Sequence, residues 1–289
     1  MLKLFADTDC DITPAIAEKY GMGLISMPYS IDGETFYPYE SYETFDAHEF
    51  YDRLRGGVLP NTSAISREKY LRYFEPVFAA GDDILYVHFS RAMSATFDAM
   101  DQAVAELREK YPERKFYEID TKGITVLSLN IVLEVADMLK AGRTIEEILE
   151  WSKTEVDRFA LYFFADDLKF FKHSGRVTGL AATMGTLLGV RPIIYMNEEG
   201  KMLSNGTERG RARAINRLLS YVDELGDDVK GHRVLIGNTD APEIVEEITA
   251  RLHEKYGSEL EVIRIDVNPT AGSHCGPNGV GICFHSVHR

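Results

Sequence analysis

Short apolar runs alternate with segments of helical periodicity through the first half of the chain. Runs typical of β-strands cover residues 2–6, 24–31, 84–89 and 116–120. Segments with helical spacing of their apolar positions lie between and after these runs, and the longest covers residues 126–139. Strands and helices in repeated alternation predict an α/β fold with a parallel, doubly wound sheet.

Polar residues at the predicted helix ends support this interpretation. Thr13 precedes Pro14, so the threonine is placed to cap a helix whose first turn tolerates the missing N–H of proline. Thr144 and Glu147 have the spacing of a capping box, which predicts that a helix over residues 145–156 begins there.

The pattern changes near residue 157. A strongly apolar run over 158–165 predicts a buried strand, and the runs at 191–196 and 201–208 predict an antiparallel hairpin. The other predicted elements are helices over 166–173, 179–189, 209–221 and 242–256, strands over 234–238 and 259–266, and a glycine-rich loop that leads into a terminal strand. We therefore predict two domains, an N-terminal α/β domain over 1–157 and a C-terminal α/β domain with a mixed sheet over 158–289.

Charge and composition exclude some classes of function. The net charge of −14 argues against a nucleic-acid partner, because such proteins need a basic face. No apolar run reaches the length of about 18 residues that a membrane-spanning helix requires. The first residues turn acidic too early for a signal peptide, and an odd number of cysteines, three, fits a reducing compartment. We expect a cytoplasmic protein.

The first candidate for chemistry is the acidic turn Asp7-Thr8-Asp9-Cys10-Asp11, directly after the first strand. A calcium loop of the EF-hand type would need glycine where Ile12 stands. Asp9-Cys10-Asp11-Ile12-Thr13 also fits the DxDxT motif of haloacid dehalogenase-like phosphoryl-transfer enzymes. In that motif the first aspartate lies at the end of the strand, and here that position is occupied by Asp7. The simplest interpretation is a strand-to-helix turn. The sequence leaves open whether this turn also lines a site.

Two further candidates are rich in hydroxyl groups. Thr62 and Ser63 precede Ser66, which alone would suffice to cap the following helix. Ser94 lies in the loop that follows the predicted strand at 84–89 and leads into a helix. In an open α/β sheet this is a place where ligands bind, since helix N–H groups and hydroxyl groups together attract an anion.

The last two candidates lie in the second half. Arg176 follows a short helix and could bind a carboxylate or a phosphate. His274 lies in the glycine-rich segment near the C-terminus, which lacks the Gly-Lys-Ser/Thr of a P-loop. His285 and His288 have metal-ligand spacing only on a helix, and a strand would point them to opposite faces. We predict no metal site.

These motifs, in this order, resemble those of the DegV family of bacterial lipid-binding proteins over the whole chain. The family has an Asp-Ser-type turn, a Thr-Ser-Gln-Pro-like loop, Ser-Ser-x-x-Ser-Gly-Thr, Gly-Gly-Arg-Ile/Leu, Lys-Pro-Ile, an Arg-rich helix start and Gly-Thr-His-x-Gly-Pro-Gly. The corresponding segments here are Asp7-Thr8-Asp9-Cys10-Asp11, Thr62-Ser63-Ala64-Ile65, Ser90-Arg91-Ala92-Met93-Ser94-Ala95-Thr96, Ser174-Gly175-Arg176-Val177, Arg191-Pro192-Ile193, Arg209-Gly210-Arg211 and Gly272-Ser273-His274-Cys275-Gly276-Pro277-Asn278.

The resemblance implies a two-domain α/β fold with a long-chain fatty acid buried in a tunnel at the domain interface. It implies that Thr62 and Ser94 hold the carboxylate, with Ser63, Arg176 and His274 near the head group. It also implies that the protein is a carrier, which presents the acyl carboxylate to a separate fatty acid kinase for acyl-phosphate formation. The bound fatty acid would be the ligand, with no cofactor, and any membrane contact would be transient.

The chain departs from the family pattern beside these residues. Arg91 replaces a serine, where it would either add a cation near the carboxylate or point to solvent, and Ala95 replaces a glycine. Ala64-Ile65 replace Gln-Pro, and Ser174 replaces another glycine. The alternative to a carrier is an enzyme, a phosphatase or acyl hydrolase, that uses Asp7, Asp9 and Asp11 or Ser94 with His274.

Overall fold

The computed structural model describes residues 1–178 and 189–289. The strands are β1 (Leu2–Asp7), β2 (Gly23–Ile25), β3 (Tyr29–Ile31), β4 (Glu34–Phe36), β5 (Asn61–Thr62), β6 (Asp83–His88), β7 (Phe116–Asp120), β8 (Phe159–Phe164), β9 (Val177–Thr178), β10 (Val190–Met196), β11 (Met202–Arg209), β12 (Val234–Asn238), β13 (Val262–Asp266) and β14 (Val280–His285). The helices are α1 (Pro14–Tyr20), α2 (Ala47–Arg55), α3 (Arg67–Ala79), α4 (Thr96–Lys110), α5 (Val126–Lys140), α6 (Ile145–Glu155), α7 (Lys169–Ser174), α8 (Arg211–Leu225), α9 (Pro242–Tyr256) and α10 (Pro269–Cys275). Short 3₁₀ turns cover Thr8–Cys10, Arg91–Met93 and Val156–Arg158.

The first sheet has four parallel strands in the order β2-β1-β6-β7. Its central strands are apolar and buried, as expected where helices cover a parallel sheet. The predicted caps are also present, since the Thr13 side chain accepts from the backbone of Ile16, and Thr144 and Glu147 form a reciprocal capping box. The parallel sheet predicted for the first half is confirmed.

The second sheet has seven strands in the order β13-β12-β14-β8-β10-β11-β9 and is mixed, as predicted. Strands β12 and β13 pair in parallel, whereas β14 pairs antiparallel with both β12 and β8. The predicted hairpin is formed by β10 and β11, and its turn is closed by hydrogen bonds between Asn197 and both Gly200 and Lys201. The helix predicted over 179–189 lies outside the described residues except at its last position.

A third, small antiparallel sheet, in the order β4-β3-β5, was not predicted. The single strand expected over residues 24–31 is wrong, because the chain leaves the first sheet after Ile25 and resumes as β3 at Tyr29. Pro28 lies in this break, and proline has no N–H to donate to a strand ladder.

The expected glycine-rich loop before the terminal strand is also wrong in part, because it contains helix α10. The Asn268 side chain accepts from the backbone of Ala271 and caps this helix, with Pro269 at its first position. Glycine at position 272 avoids a clash, since a Cβ there would lie 2.3 Å from the Tyr51 hydroxyl oxygen. The glycine serves close packing here and does not break the helix.

Helix α5 lies between the two larger sheets. It contacts β6 of the first sheet and β8, β12 and β14 of the second, and its residues Val126–Leu133 are all buried. One continuous apolar core therefore runs from Leu4 through α5 to Leu235. The strands of the parallel sheet all precede residue 157, and those of the mixed sheet all follow it. Because the two sheets share one core, the division into two domains stays a prediction.

Candidate functional site

A polar cavity of about 650 Å³ lies where the turns after β1 and β6 meet β5 and α10. Strands β1 and β6 are paired in parallel, so the turns that follow them reach the same edge of the sheet. All five residues predicted from the sequence to lie near a head group line this cavity. They are Thr62, Ser63, Ser94, Arg176 and His274.

Thr62 is positioned by the small sheet. It ends strand β5 and pairs with Tyr29 of β3, which turns its side chain toward α10. The Thr62 Oγ1 lies 3.0 Å from Nε2 of His274, a hydrogen bond between residues 212 positions apart. This contact joins the first half of the chain to its C-terminal segment inside the cavity.

Ser94 lies between the 3₁₀ turn at Arg91–Met93 and helix α4. Its Oγ accepts a hydrogen bond of 3.2 Å from the backbone N–H of Thr96, and it thereby satisfies one amide of the first turn of α4. The cavity thus meets the N-terminus of a fifteen-residue helix, where the dipole and the amide groups favour negative charge.

His274 is largely buried and neutral at physiological pH. Burial lowers the pKa of His274 to about 4, and the nearby positive charges of Arg176 and His173 contribute in the same direction. Within the described part of the chain, its Nδ1 has no hydrogen-bond partner. The ring therefore offers one uncommitted nitrogen beside the cavity without carrying a charge.

Two aspartates of the acidic turn have structural roles, and the third lines the cavity. Asp7 accepts from the Tyr86 hydroxyl at 2.9 Å, and Asp11 accepts two hydrogen bonds, of 2.9 and 2.8 Å, from Asn268. Burial raises the pKa of Asp7 to about 6 and that of Asp11 to about 7. Asp9 alone lines the cavity.

Two arginines near the cavity differ in their surroundings. Arg176 is exposed at the cavity edge, where its Nη1 donates to the carbonyl oxygen of Ser174 at 2.8 Å. Arg91 instead pairs with Asp101 and Glu118, each at 2.8 Å, on the outer surface of the first sheet. Of the two positions that the sequence left open for Arg91, the structure places it away from the cavity.

A second cavity of about 560 Å³ lies deeper and is almost entirely apolar. It is enclosed by the start of α5, by strands β8, β11, β12 and β14, and by α10. Its residues include Val126, Leu161, Phe163, Met202 and Val280. The sequence did not identify this lining, because it comes from six elements that are far apart along the chain.

The two cavities are neighbours. Met93, Ile124 and His274 line both of them, so a largely apolar lining lies directly beside the polar one.

Ser94 and His274, one of the catalytic pairs that the sequence left open, both line the polar cavity, but no hydrogen bond joins them among the described residues. His274 pairs with Thr62, and Ser94 Oγ accepts from a backbone amide. Among the described residues His274 Nδ1 has no acidic partner that would orient it for base catalysis.

One group of side chains outside the cavities has spacing that suits a metal ion. His48, Asp52 and Asp240 lie together on the surface, with His48 Nδ1 2.9 Å from an Asp240 oxygen. However, Arg55 donates to both aspartates at 2.6 Å, so a guanidinium already balances their charge.

Within the described part of the chain, every helix is too short or too polar to cross a bilayer.

Comparison with known proteins identifies the family. The DegV family model, described as an uncharacterised protein family, matches residues 1–287. A DegV domain-containing protein from Clostridium perfringens is 27% identical over 282 residues, which cover 97% of this chain and 96% of that protein. The chain belongs to the DegV family, as its motifs suggested.

Solved structures agree with this assignment. A stearic acid-binding protein from Eubacterium ventriosum matches with a TM-score of 0.87 at 24% identity, over 99% of this chain and 98% of that one. A DegV family protein from Thermus thermophilus, described by its fatty acid binding, matches with a TM-score of 0.86 at 21% identity, over 99% of both chains. These likenesses confirm the mixed α/β fold.

The electrostatics of His274 can be tested by NMR. We expect its ring signals to stay constant between about pH 6 and pH 8, because burial keeps its pKa near 4, while exposed His48 titrates. Arg176→Gln should raise the pKa of His274, since it removes a nearby positive charge. The control is Arg143→Gln, just before the N-cap of α6, and an unchanged His274 pKa in Arg176→Gln would contradict the electrostatic effect of Arg176.

Proposed function

We propose that this protein binds one long-chain fatty acid, with the carboxylate in the polar cavity and the acyl chain in the apolar cavity. The observation that supports the proposal is that Met93, Ile124 and His274 line both the polar and the apolar cavity. The fatty acid binding described for the Eubacterium ventriosum and Thermus thermophilus proteins supports the same assignment.

The energetics favour such a ligand. Each buried methylene contributes about 0.8 kcal/mol, so a long chain in an apolar tunnel supplies most of the affinity. The carboxylate then needs only a few well-placed donors. The hydroxyl groups of Thr62 and Ser94, with Ser63 nearby, can donate to it, and Arg176 adds a positive charge at the cavity edge.

We further propose that the protein is a carrier and not an enzyme, and that a fatty acid kinase acts on the bound acid. Ser63 and Arg176 are exposed at the mouth of the polar cavity, where a partner could reach the carboxylate. Three free cysteines, Cys10, Cys275 and Cys283, fit a cytoplasmic location. The site would lie between the proposed domains 1–157 and 158–289, and membrane contact would be limited to exchange of the acid.

The alternative is an enzyme that hydrolyses acyl esters or phosphoesters, with Ser94 and His274 or the aspartates as catalytic groups. The pairing of His274 with Thr62 weighs against the first arrangement. The engagement of Asp7 and Asp11 in hydrogen bonds to Tyr86 and Asn268 weighs against the second. Purified protein that turns over such esters and carries no lipid would favour the enzyme.

The head-group position is tested with Thr62→Ala combined with Ser94→Ala. Losing two donors to a charged group should weaken binding by at least about tenfold and lower the bound fatty acid measured by denaturing mass spectrometry. The control is Ser152→Ala with Thr154→Ala, two hydroxyl residues on α6 that line neither cavity. Unchanged lipid in a folded Thr62/Ser94 variant would show that the carboxylate lies elsewhere.

The acyl-chain position is tested with Met202→Phe, which adds bulk to the apolar cavity. We expect the profile of bound acids to shift to shorter chains, because each methylene that no longer fits weakens binding about fourfold. Met100→Phe is the matched control, since Met100 is fully buried on α4 and lines neither cavity. An identical profile for both variants would contradict the placement of the chain.

The carrier role is tested by adding a bacterial fatty acid kinase and ATP to protein loaded with stearic acid. We expect acyl-phosphate to form, and Arg176→Gln to reduce its rate by about tenfold or more while most of the bound lipid is retained. Arg143→Gln, just before the N-cap of α6, should behave as the unaltered protein does. The absence of acyl-phosphate with kinases that are active on other loaded DegV proteins would refute the carrier role but not fatty acid binding.

A further inference from the structure

Asp9 is a polar residue of the cavity that the proposed binding mode does not use. Asp9 is only 6% exposed, yet it lines the polar cavity together with Thr62, Ser94 and His274. Its Oδ1 is buried and has no hydrogen-bond partner in the part of the chain that the structure describes. A buried carboxyl oxygen without a hydrogen-bond partner is destabilising, so its position requires an explanation.

The backbone holds Asp9 in this position. The N–H of Thr125, at the start of α5, donates to the Asp9 carbonyl oxygen at 2.7 Å. Asp7 and Asp11 on either side are tied to Tyr86 and Asn268, so the turn has little freedom to rotate Asp9 toward solvent. The side chain is therefore fixed beside the space that the head group would occupy.

We propose that Asp9 is a specificity-determining residue of the head-group site and that its carboxyl group shares one proton with the carboxyl group of the bound acid. This inference rests on the proposed fatty acid binding. Two ionised carboxylates in one buried cavity would repel each other strongly, whereas an O–H of one group donating to the other forms a charge-assisted hydrogen bond. No covalent bond changes, and the proton comes from water.

The charges around Asp9 favour the shared proton. The titratable groups near it are Asp7, Cys10 and Asp11 on its own turn, Tyr86 on β6, His274 on α10 and Arg176 at the cavity edge. His274 is neutral, so Arg176 is the cation that lines the cavity among the described residues, and it is exposed. Burial, with the charges of Asp7 and Asp11, holds the pKa of Asp9 well above its usual range.

The shared proton predicts how affinity depends on pH. Binding favours protonated Asp9, so affinity is highest below the pKa of Asp9 in the empty protein. It falls as pH rises through that value, by at most about tenfold per pH unit for one proton. A head group recognised in this way must itself accept a hydrogen bond from a protonated acid, as an ionised carboxylate does.

The test measures stearic acid affinity between about pH 6 and pH 9.5 for the unaltered protein and for Asp9→Asn. Asparagine has nearly the same shape and donates at every pH. Because the two proteins are measured side by side, the ratio of their affinities cancels the behaviour of the acid in water. We expect the ratio to favour Asp9→Asn increasingly as pH rises, by about tenfold or more over the range.

Two further variants separate Asp9 from its neighbours. His274→Gln should keep the pH dependence whatever its affinity, because the proton is assigned to Asp9. Asp9→Ala should lose the pH dependence and bind more weakly than Asp9→Asn, because it has no donor. Circular dichroism and urea unfolding would establish that each variant is folded.

The results separate the two proposals. A constant ratio of affinities across the pH range, with stearic acid bound, would overturn the role of Asp9 and leave fatty acid binding intact. Loss of the pH dependence in His274→Gln instead of Asp9→Asn would assign the proton to the histidine. That result would also overturn the role of Asp9. Failure of every protein to bind stearic acid at any pH would overturn the proposed function and this inference with it.

Discussion

The hydrogen bonds between Asp11 and Asn268 join the two ends of the chain, and the geometry of the site depends on them. One carboxylate oxygen accepts from both the backbone and the side chain of Asn268, which is also the cap of α10. The start of α10 is thereby fixed to the turn after β1, with further support from Thr270, whose hydroxyl donates to the carbonyl oxygen of Met27. This places His274, one turn later on α10, opposite Thr62.

The position of the apolar cavity depends in a similar way on α5. A helix that packs against both larger sheets is apolar on nearly every side, and its N-cap residue, Thr125, and its first residue, Val126, both line the cavity. The chain enters α5 through a strained residue, since Thr125 has a φ of 53°. The N–H of the same residue anchors Asp9. The polar and apolar cavities are thus positioned by one segment.

The sequence was informative where local patterns decide the structure. Capping residues such as Thr13 and Thr144 act within a few positions, so the helices they begin could be predicted. The helix at Pro269–Cys275 could not be predicted, because Gly272 is required by close packing against Tyr51, a residue far away along the chain. The apolar cavity could not be predicted for the same reason, as its walls meet only after folding.

The candidate site was predictable only in part. Hydroxyl residues at helix starts and a histidine in an unusual segment indicated Thr62, Ser94 and His274, and the family resemblance connected them. Which aspartate of the turn faces the cavity depends on the bonds that Asp7 and Asp11 make to β6 and α10, so no local pattern distinguishes Asp9. The direction of Arg91 likewise depends on its partners Asp101 and Glu118.

The hydrogen bond between Thr62 and His274 has a consequence for the empty protein. A protein that takes up and releases a ligand must exist for part of its time with the cavity vacant, when polar groups that would contact the ligand lose that partner. In the proposed binding mode, the threonine hydroxyl would keep the imidazole as a partner whenever the head group leaves. The pair would then substitute for the ligand inside the protein, which would lower the free energy needed for release.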